Sequence, residues 1–258
     1  MITYLDKILE WHRQQAAADH RSLDQLITRA LECPPTRGFR SALADRDELA
    51  VISEIKRRSP SKGDLNAGLD PALIAEQYAA GGAACLSVLT DEQFFGGSVA
   101  DLQAARAACM LPVLRKDFTV SARDVIDARI MGADCVLLIA AALGSPTLGD
   151  LHALATELGL DVLVEIHDEH ELEDALEADA TLIGVNQRDL VTFEVDHERA
   201  LRVGGSIPDG IVKVAESGIR HRDDALALDG AGFHAVLVGE ALVTSGDPTS
   251  AVQQLTGS

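Results

Sequence analysis

Aromatic side chains make up only 3% of this 258-residue chain, too few for the stacking surfaces on which single-stranded nucleic acids are bound. Basic residues are the minority charge: 22 Lys and Arg against 41 Asp and Glu leave a formal net charge of −19. Such a chain repels phosphate backbones and anionic lipid, so neither nucleic acid nor a membrane is an expected partner. Any basic cluster must then serve a local purpose. The four cysteines, Cys33, Cys85, Cys109 and Cys135, form no C-x-x-C pair and stand in apolar surroundings. They read as small buried hydrophobes and reduced thiols, which suits a cytoplasmic location. Long apolar runs are missing as well. The longest, CVLLIAAALG at 135–144, is about half of the ~20 residues that a spanning helix needs. The N-terminal MITYLDKILEWHR is charged from its sixth residue onward and lacks the apolar centre of a signal peptide.

What is abundant is aliphatic: hydrophobic residues are 47% of the chain, enough for a sizeable core. Eight short runs rich in Val, Ile and Leu read as strands, at 50–56, 84–90, 112–116, 134–140, 161–166, 181–186, 211–216 and 234–239. Between them lie helix-start signals at Asp70-Pro71, Ser121 with Asp124, Ser145-Pro146, and Asp168 with Glu171. Glycines at 81–82, 132, 159, 230 and 232 mark helix ends. Nearly continuous apolar strands with helical crossovers imply a parallel sheet covered on its outer face. Eight such units, with no G-x-G-x-x-G turn, predict a closed (β/α)8 TIM barrel of the α/β class rather than an open doubly wound sheet. The barrel domain is expected over 49–258. Residues 1–48 fall outside the repeat and read as an N-terminal helical extension of one or two amphipathic helices, ended at Cys33-Pro34-Pro35. That extension either packs over one end of the barrel or forms a flap at the mouth of the site.

In such a barrel the carboxyl ends of the strands form the active face. Charge gathers at those ends repeatedly: Glu54 and Lys56, Thr90-Asp91, Arg115-Lys116-Asp117, Glu165, Asn186 and Arg188, Glu216-Ser217-Gly218, and Gly239-Glu240. Glu54 and Lys56 are two apart and share a strand face. Carboxylates and lysines leaving buried strands carry a desolvation cost unless they pair. They are therefore expected to meet at the mouth, although a buried structural ion pair would show the same spacing. The loops ESGI and GEAL follow strands seven and eight, where barrels often hold phosphate on backbone N–H groups. Ser217, Gly218, Gly239 and Glu240 are the phosphate-binding candidates.

The segments SEIKRRSPSKG, VLTD with FFGGS, PVLRKDF, VLVEIHD, IGVNQRDL, VAESGI and VGEAL, taken together and in order, resemble the indole-3-glycerol phosphate synthase family of the tryptophan pathway over nearly the whole chain. Gln187, where the family often has Asn or Ser, and Ala215, where Ser is common, are mild departures. The resemblance implies a carboxy-lyase. It would convert 1-(2-carboxyphenylamino)-1-deoxyribulose 5-phosphate to indole-3-glycerol phosphate, CO2 and water with neither cofactor nor metal. It further implies Lys116 as the acid of ring closure, Glu165 as proton donor and Glu54 as acceptor in the dehydration. Lys56 would bind the substrate carboxylate or phosphate and share the acid role. Asn186, Arg188 and Glu216 become polar anchors, Ser59 and Pro60 shape the first loop, and Phe118 and Leu190 form the apolar wall. A monomer or weak homodimer taking one small phosphorylated substrate is the expected assembly.

Other readings remain. A different phosphate-binding barrel enzyme is one, either an isomerase or an aldolase with Lys116 as Schiff-base nucleophile. A non-catalytic metabolite-binding barrel is another. His167 and His170 suggest a metal, yet they stand beside a D-x-x-E pattern that caps a helix. Trp11 reads as a packing residue. Arg57, Arg58 and Lys62 read as a solvated loop that would also draw an anion to the mouth.

Overall fold

A computed structural model describes residues 3–60, 62–189 and 191–257. The eight apolar runs form strands β1 (Ala50–Ile55), β2 (Cys85–Leu89), β3 (Val113–Lys116), β4 (Cys135–Ile139), β5 (Asp161–Ile166), β6 (Leu182–Asn186), β7 (Val212–Glu216) and β8 (Ala235–Val238). Each pairs in parallel with its neighbours, and β1 pairs with both β2 and β8, which closes a (β/α)8 barrel. Closure leaves no edge to protect. The crossover helices start where the capping chemistry predicts. Asp70 accepts from Ala72 and Leu73 ahead of Pro71, Ser121 and Asp124 close a capping box, and Asp168 accepts from His170 and Glu171. Such a cap contributes about 1 kcal/mol. Ser145 differs from expectation, because the cap position is Gly144 and Ser145 is already helical.

The strand period of two divides the core. Val51, Ile55, Val113, Val136 and Val164 point outward into the layer beneath the helices. Ala50, Ile52, Cys85, Leu114, Cys135, Leu137, Leu163, Leu182, Val214 and Leu237 point into the lumen and fill it. Continuing the inward set towards the carboxyl ends gives Glu54, Lys116, Glu165 and Glu216 one step on, and Asn186 two steps beyond Leu182, past Gly184. The apolar floor and the polar layer above it are one alternation.

The segment ahead of the barrel holds three helices, α1 (Tyr4–Ala18), α2 (Leu23–Leu31) and α3 (Phe39–Ala44), not one or two. The two proposed roles divide between them. The α1 helix lies over the mouth: Tyr4, Leu5 and Ile8 line the cavity there, and Arg13 donates to Ala142 O at 2.9 Å. At the other end α3 plugs the lumen with Phe39 and Leu43, both fully buried. It is held by Arg40 N on Asp161 Oδ2 at 2.9 Å, and just ahead of it Arg37 N donates to Asp134 Oδ1 at 2.8 Å. The α2 helix packs on the barrel's side against Ala122–Met131. A helix that closes the bottom and one that roofs the top cannot be told apart by amphipathicity, since both bury one apolar stripe. Among the described residues no helix is long and apolar enough to cross a membrane. All four cysteines are free, Cys85 and Cys135 in the core.

Candidate active site

A cavity of about 470 Å³ opens at the carboxyl ends of the strands, within the range usual for small-molecule sites. It brings together the sequence-predicted residues Glu54, Lys56, Ser59, Pro60, Lys116, Phe118, Glu165, Asn186, Arg188, Glu216, Ser217, Gly218, Gly239 and Glu240. Leu190 lies outside the described residues.

Lys116 stands at the centre. Its Nζ donates to Glu165 Oε2 at 2.7 Å and to Glu216 Oε2 at 3.1 Å. Burial alone would discharge this ammonium, but Glu165, Glu216 and Glu54 outweigh burial and raise its pKa above the usual lysine value. Burial also raises the Glu165 carboxyl. Lys116, His167 and the hydrogen bonds from Lys116 and Asn186 more than offset that and hold it at about 2. Glu216 goes the other way: burial and the neighbouring charge of Glu165 and Glu54 exceed the pull of Lys116, and its pKa rises to about 7. Its Oε1 is buried without a hydrogen-bond partner among the described residues. Two carboxylates sharing one cation thus separate into one that is firmly ionised and one that titrates near neutrality.

The remaining side chains hold this centre in place. Asn186 donates to Glu165 Oε1 at 3.0 Å and accepts from Arg188 N at 3.0 Å. Lys56 and Glu54 form a close ion pair at the head of β1. Gly184 and Gly239 occupy inward positions because a Cβ there would sit 2.2 Å from Glu216 Oε1 or from Glu54 Oε1. Phe118 packs near His12 and Phe95, with ring centroids 5.4 and 6.1 Å apart. After β7, Ser217 and Gly218 both have positive φ, 67° and 78°, a conformation that costs Ser217 about 1 kcal/mol or more. Gln187, the departure from the family pattern, is buried and donates from Nε2 to Ser217 O at 2.7 Å. Sequence reasoning missed this support, since a contact between two strand ends leaves no mark on local spacing.

Two readings need correction. Arg57 and Arg58 are only partly exposed and do not line the cavity. Arg57 pairs with Asp101 and donates to the Ala67 and Leu69 carbonyls, and Arg58 donates to those of Glu92, Gln93 and Phe94. They brace the loops, because a guanidinium supplies several donors in a fixed fork and can tie together carbonyls from different segments. Lys62 alone stays exposed, 3.8 Å from Glu240.

One His–Asp–Asp group, His12, Asp91 and Asp117, gathers three atoms of metal-ligand type. Its oxygens are already engaged. Asp91 accepts from His12, Phe94 N and Phe95 N, and Asp117 accepts from Thr90, Arg115 and Phe118 N. The group latches α1 to the mouth of the barrel. His167 and His170 sit at the start of Glu169–Glu177, and His167 bonds Glu171 at 2.9 Å.

The fold and the cavity define a TIM-barrel enzyme that works by acid–base chemistry on a small anionic substrate. The family model of indole-3-glycerol phosphate synthase matches residues 5–255. The chain is 49% identical to the indole-3-glycerol phosphate synthase of Mycolicibacterium smegmatis, covering 98% of this chain and 93% of the relative. It is 50% identical to indole-3-glycerol phosphate synthase 1 of Streptomyces coelicolor, over 98% and 95%. Among solved structures, a thiamine phosphate pyrophosphorylase from Pyrococcus furiosus is similar with a TM-score of 0.60, 16% identity, and 80% and 93% coverage, a likeness of fold alone. The chain belongs to the indole-3-glycerol phosphate synthase family.

Proposed function

We propose that Lys116 is the acid of ring closure in a cavity that converts 1-(2-carboxyphenylamino)-1-deoxyribulose 5-phosphate to indole-3-glycerol phosphate, CO2 and water, the carboxy-lyase step of tryptophan biosynthesis. The observation that carries this role is the ammonium of Lys116, kept charged at the floor of the cavity by Glu165 and Glu216. As the ring carbon bearing the carboxylate attacks the ketone, negative charge grows on the carbonyl oxygen, and the Lys116 proton neutralises it. Loss of CO2 restores the aromatic ring. The new hydroxyl then leaves as water with a proton from Glu165, while Glu54 accepts a proton from the five-membered ring. Because Glu165 is ionised in the free protein, it must take up its proton during turnover before it can give one.

Lys56 and Arg188 bind the substrate's carboxylate and phosphate groups. The backbone at Ser217, Gly218, Gly239 and Glu240 receives the phosphate, with Glu240 opening a helical turn. Phe118 lies against the aromatic ring, Ser59 and Pro60 border the same space, and Asn186 and Glu216 orient Glu165 and Lys116. Residues 1–48 act as an extension of one barrel domain over 49–258, in a cytoplasmic protein that is a monomer or weak homodimer.

An aldolase reading requires a neutral lysine nucleophile, and the carboxylates around Lys116 oppose it. Supplying the carboxyphenylamino-deoxyribulose phosphate with no added cofactor is expected to give the fluorescence of an indole product. Lys116→Ala is expected to lower kcat by about 10²-fold or more with substrate still bound. Absence of indole from the wild type refutes the activity, and near-normal turnover by the variant removes Lys116 from the acid role.

A further inference from the structure

His167 follows the last residue of β5 and is not among the groups assigned above. Its imidazole is largely buried, with 11% of the side chain exposed. Nδ1 lies 2.9 Å from Glu171 Oε2, the same oxygen that accepts from His167 N at 2.8 Å. A carboxylate can only accept, so Nδ1 carries hydrogen. That leaves Nε2 as the atom that gains or loses a proton. Nε2 is buried without a hydrogen-bond partner among the described residues and faces Glu165 Oε1 at 3.7 Å. A bare nitrogen lone pair against that oxygen is repulsive, whereas an N–H is attractive. A small rotation of either side chain would close the gap to a hydrogen bond.

We propose that His167, backed by Glu171, is a positioning residue that delivers to Glu165 the proton Glu165 gives up in the dehydration. The inference rests on the synthase reading above. Once Lys116 has passed its proton to the ketone, Glu165 has lost the neighbouring positive charge that kept it ionised, and its proton affinity rises. The Nε2–H bond of the imidazolium then breaks and an O–H bond forms on Glu165 Oε1, leaving a neutral imidazole whose Nδ1–H stays on Glu171. Solvent returns the proton between turnovers.

The charged groups around His167 favour a stored proton. Glu165 on β5 and Glu171 on the following helix attract it, and Arg199 on His197–Gly204 opposes it. Burial lowers the imidazole pKa, but the hydrogen bond and charge of Glu171 and the charge of Glu165 raise it above 6.5 overall. Lys116 acts on it through Glu165.

The test is kcat and KM against pH for wild type, His167→Gln and Glu171→Gln. Wild-type kcat is expected to fall as pH rises through the His167 pKa, above 6.5. His167→Gln keeps a donor but cannot titrate. It should lose that limb and show kcat about 10- to 100-fold lower, with KM within about threefold. Glu171→Gln removes an attracting charge and should move the limb to lower pH while keeping it. A change in packing alone would move neither limb. If the wild type forms no indole product, the synthase reading fails. If it does and His167→Gln reproduces its kcat and pH profile, the proton comes from elsewhere, Glu216 or solvent, and this inference alone is overturned. An unmoved limb in Glu171→Gln overturns it equally, and does so should His167→Gln not fold.

Discussion

Gly184 offers a sharp test of the site, because the perturbation is one methyl group and its direction is known. The residue sits on β6 with its missing side chain facing the lumen, opposite Glu165 in the β5–β6 register. A Cβ built there lies 2.2 Å from Glu216 Oε1 and 3.2 Å from Leu163 Cδ1. The first distance falls short of an ordinary 3.4 Å contact by about 1 Å, and the backbone is a strand that alanine adopts freely. The oxygen that must yield is the end of a flexible side chain, so the fold accommodates it at about 1–3 kcal/mol. Catalysis is less tolerant. Glu216 is the carboxylate that shares Lys116 with Glu165, and a displacement of about 1 Å there costs on the order of 10² in rate. Gly184→Ala is thus expected to keep a cooperative urea transition and lower kcat by about 10²-fold, read by indole fluorescence at saturating substrate. Gly149→Ala is the control: among the described residues nothing lies within 4 Å of its added Cβ, and inside the helix Ser145–Glu157 alanine adds about 0.5–1 kcal/mol of stability with unchanged turnover. If Gly184→Ala keeps kcat within about threefold of wild type, Glu216 has no positional role and the arrangement around Lys116 is not the working one.

The titration of Glu216 predicts a stability trend. A carboxyl whose folded pKa is about 7 against an unfolded value near 4.3 binds more protons folded than unfolded between those values. Wild-type stability should therefore decline from pH 4.5 to pH 7 by up to about 3 kcal/mol, and Glu216→Gln should flatten that decline in urea melts across the range; equal slopes would refute the shift. At the opposite end of the barrel, Asp134 pairs with Arg106 and accepts from Arg37 N and Val113 N, each at 2.8 Å. Asp134→Ala should cost about 3–5 kcal/mol in urea unfolding, while kcat of the folded enzyme stays within about twofold. A large loss of kcat without loss of stability would mean that the plugged end and the mouth are coupled.

Much of this was legible because a parallel barrel repeats one local rule. A strand's inward set runs from aliphatic to charged at a fixed period, so Ile52 implies Glu54 and Leu163 implies Glu165, and the site emerges wherever eight such runs end together. What that rule cannot carry is partnership across strands. That Lys116 meets Glu165 and Glu216, while Lys56 meets Glu54, depends on register and on the empty positions at Gly184 and Gly239, which look like ordinary strand glycines in sequence. The loop arginines were misread for a related reason: Arg57 and Arg58 find their partners 10 to 44 residues away, and local composition shows only a basic run. The same logic explains how a chain with a net charge of −19 can receive an anion. Its carboxylates are not spread evenly at the mouth. Asp91 and Asp117 are taken up by backbone amides, His12, Thr90 and Arg115, and Glu165 is balanced by Lys116. Under the proposed function a phosphate would be received by Lys56 and the backbone after β7 and β8, at distances where local charges outweigh a screened global one.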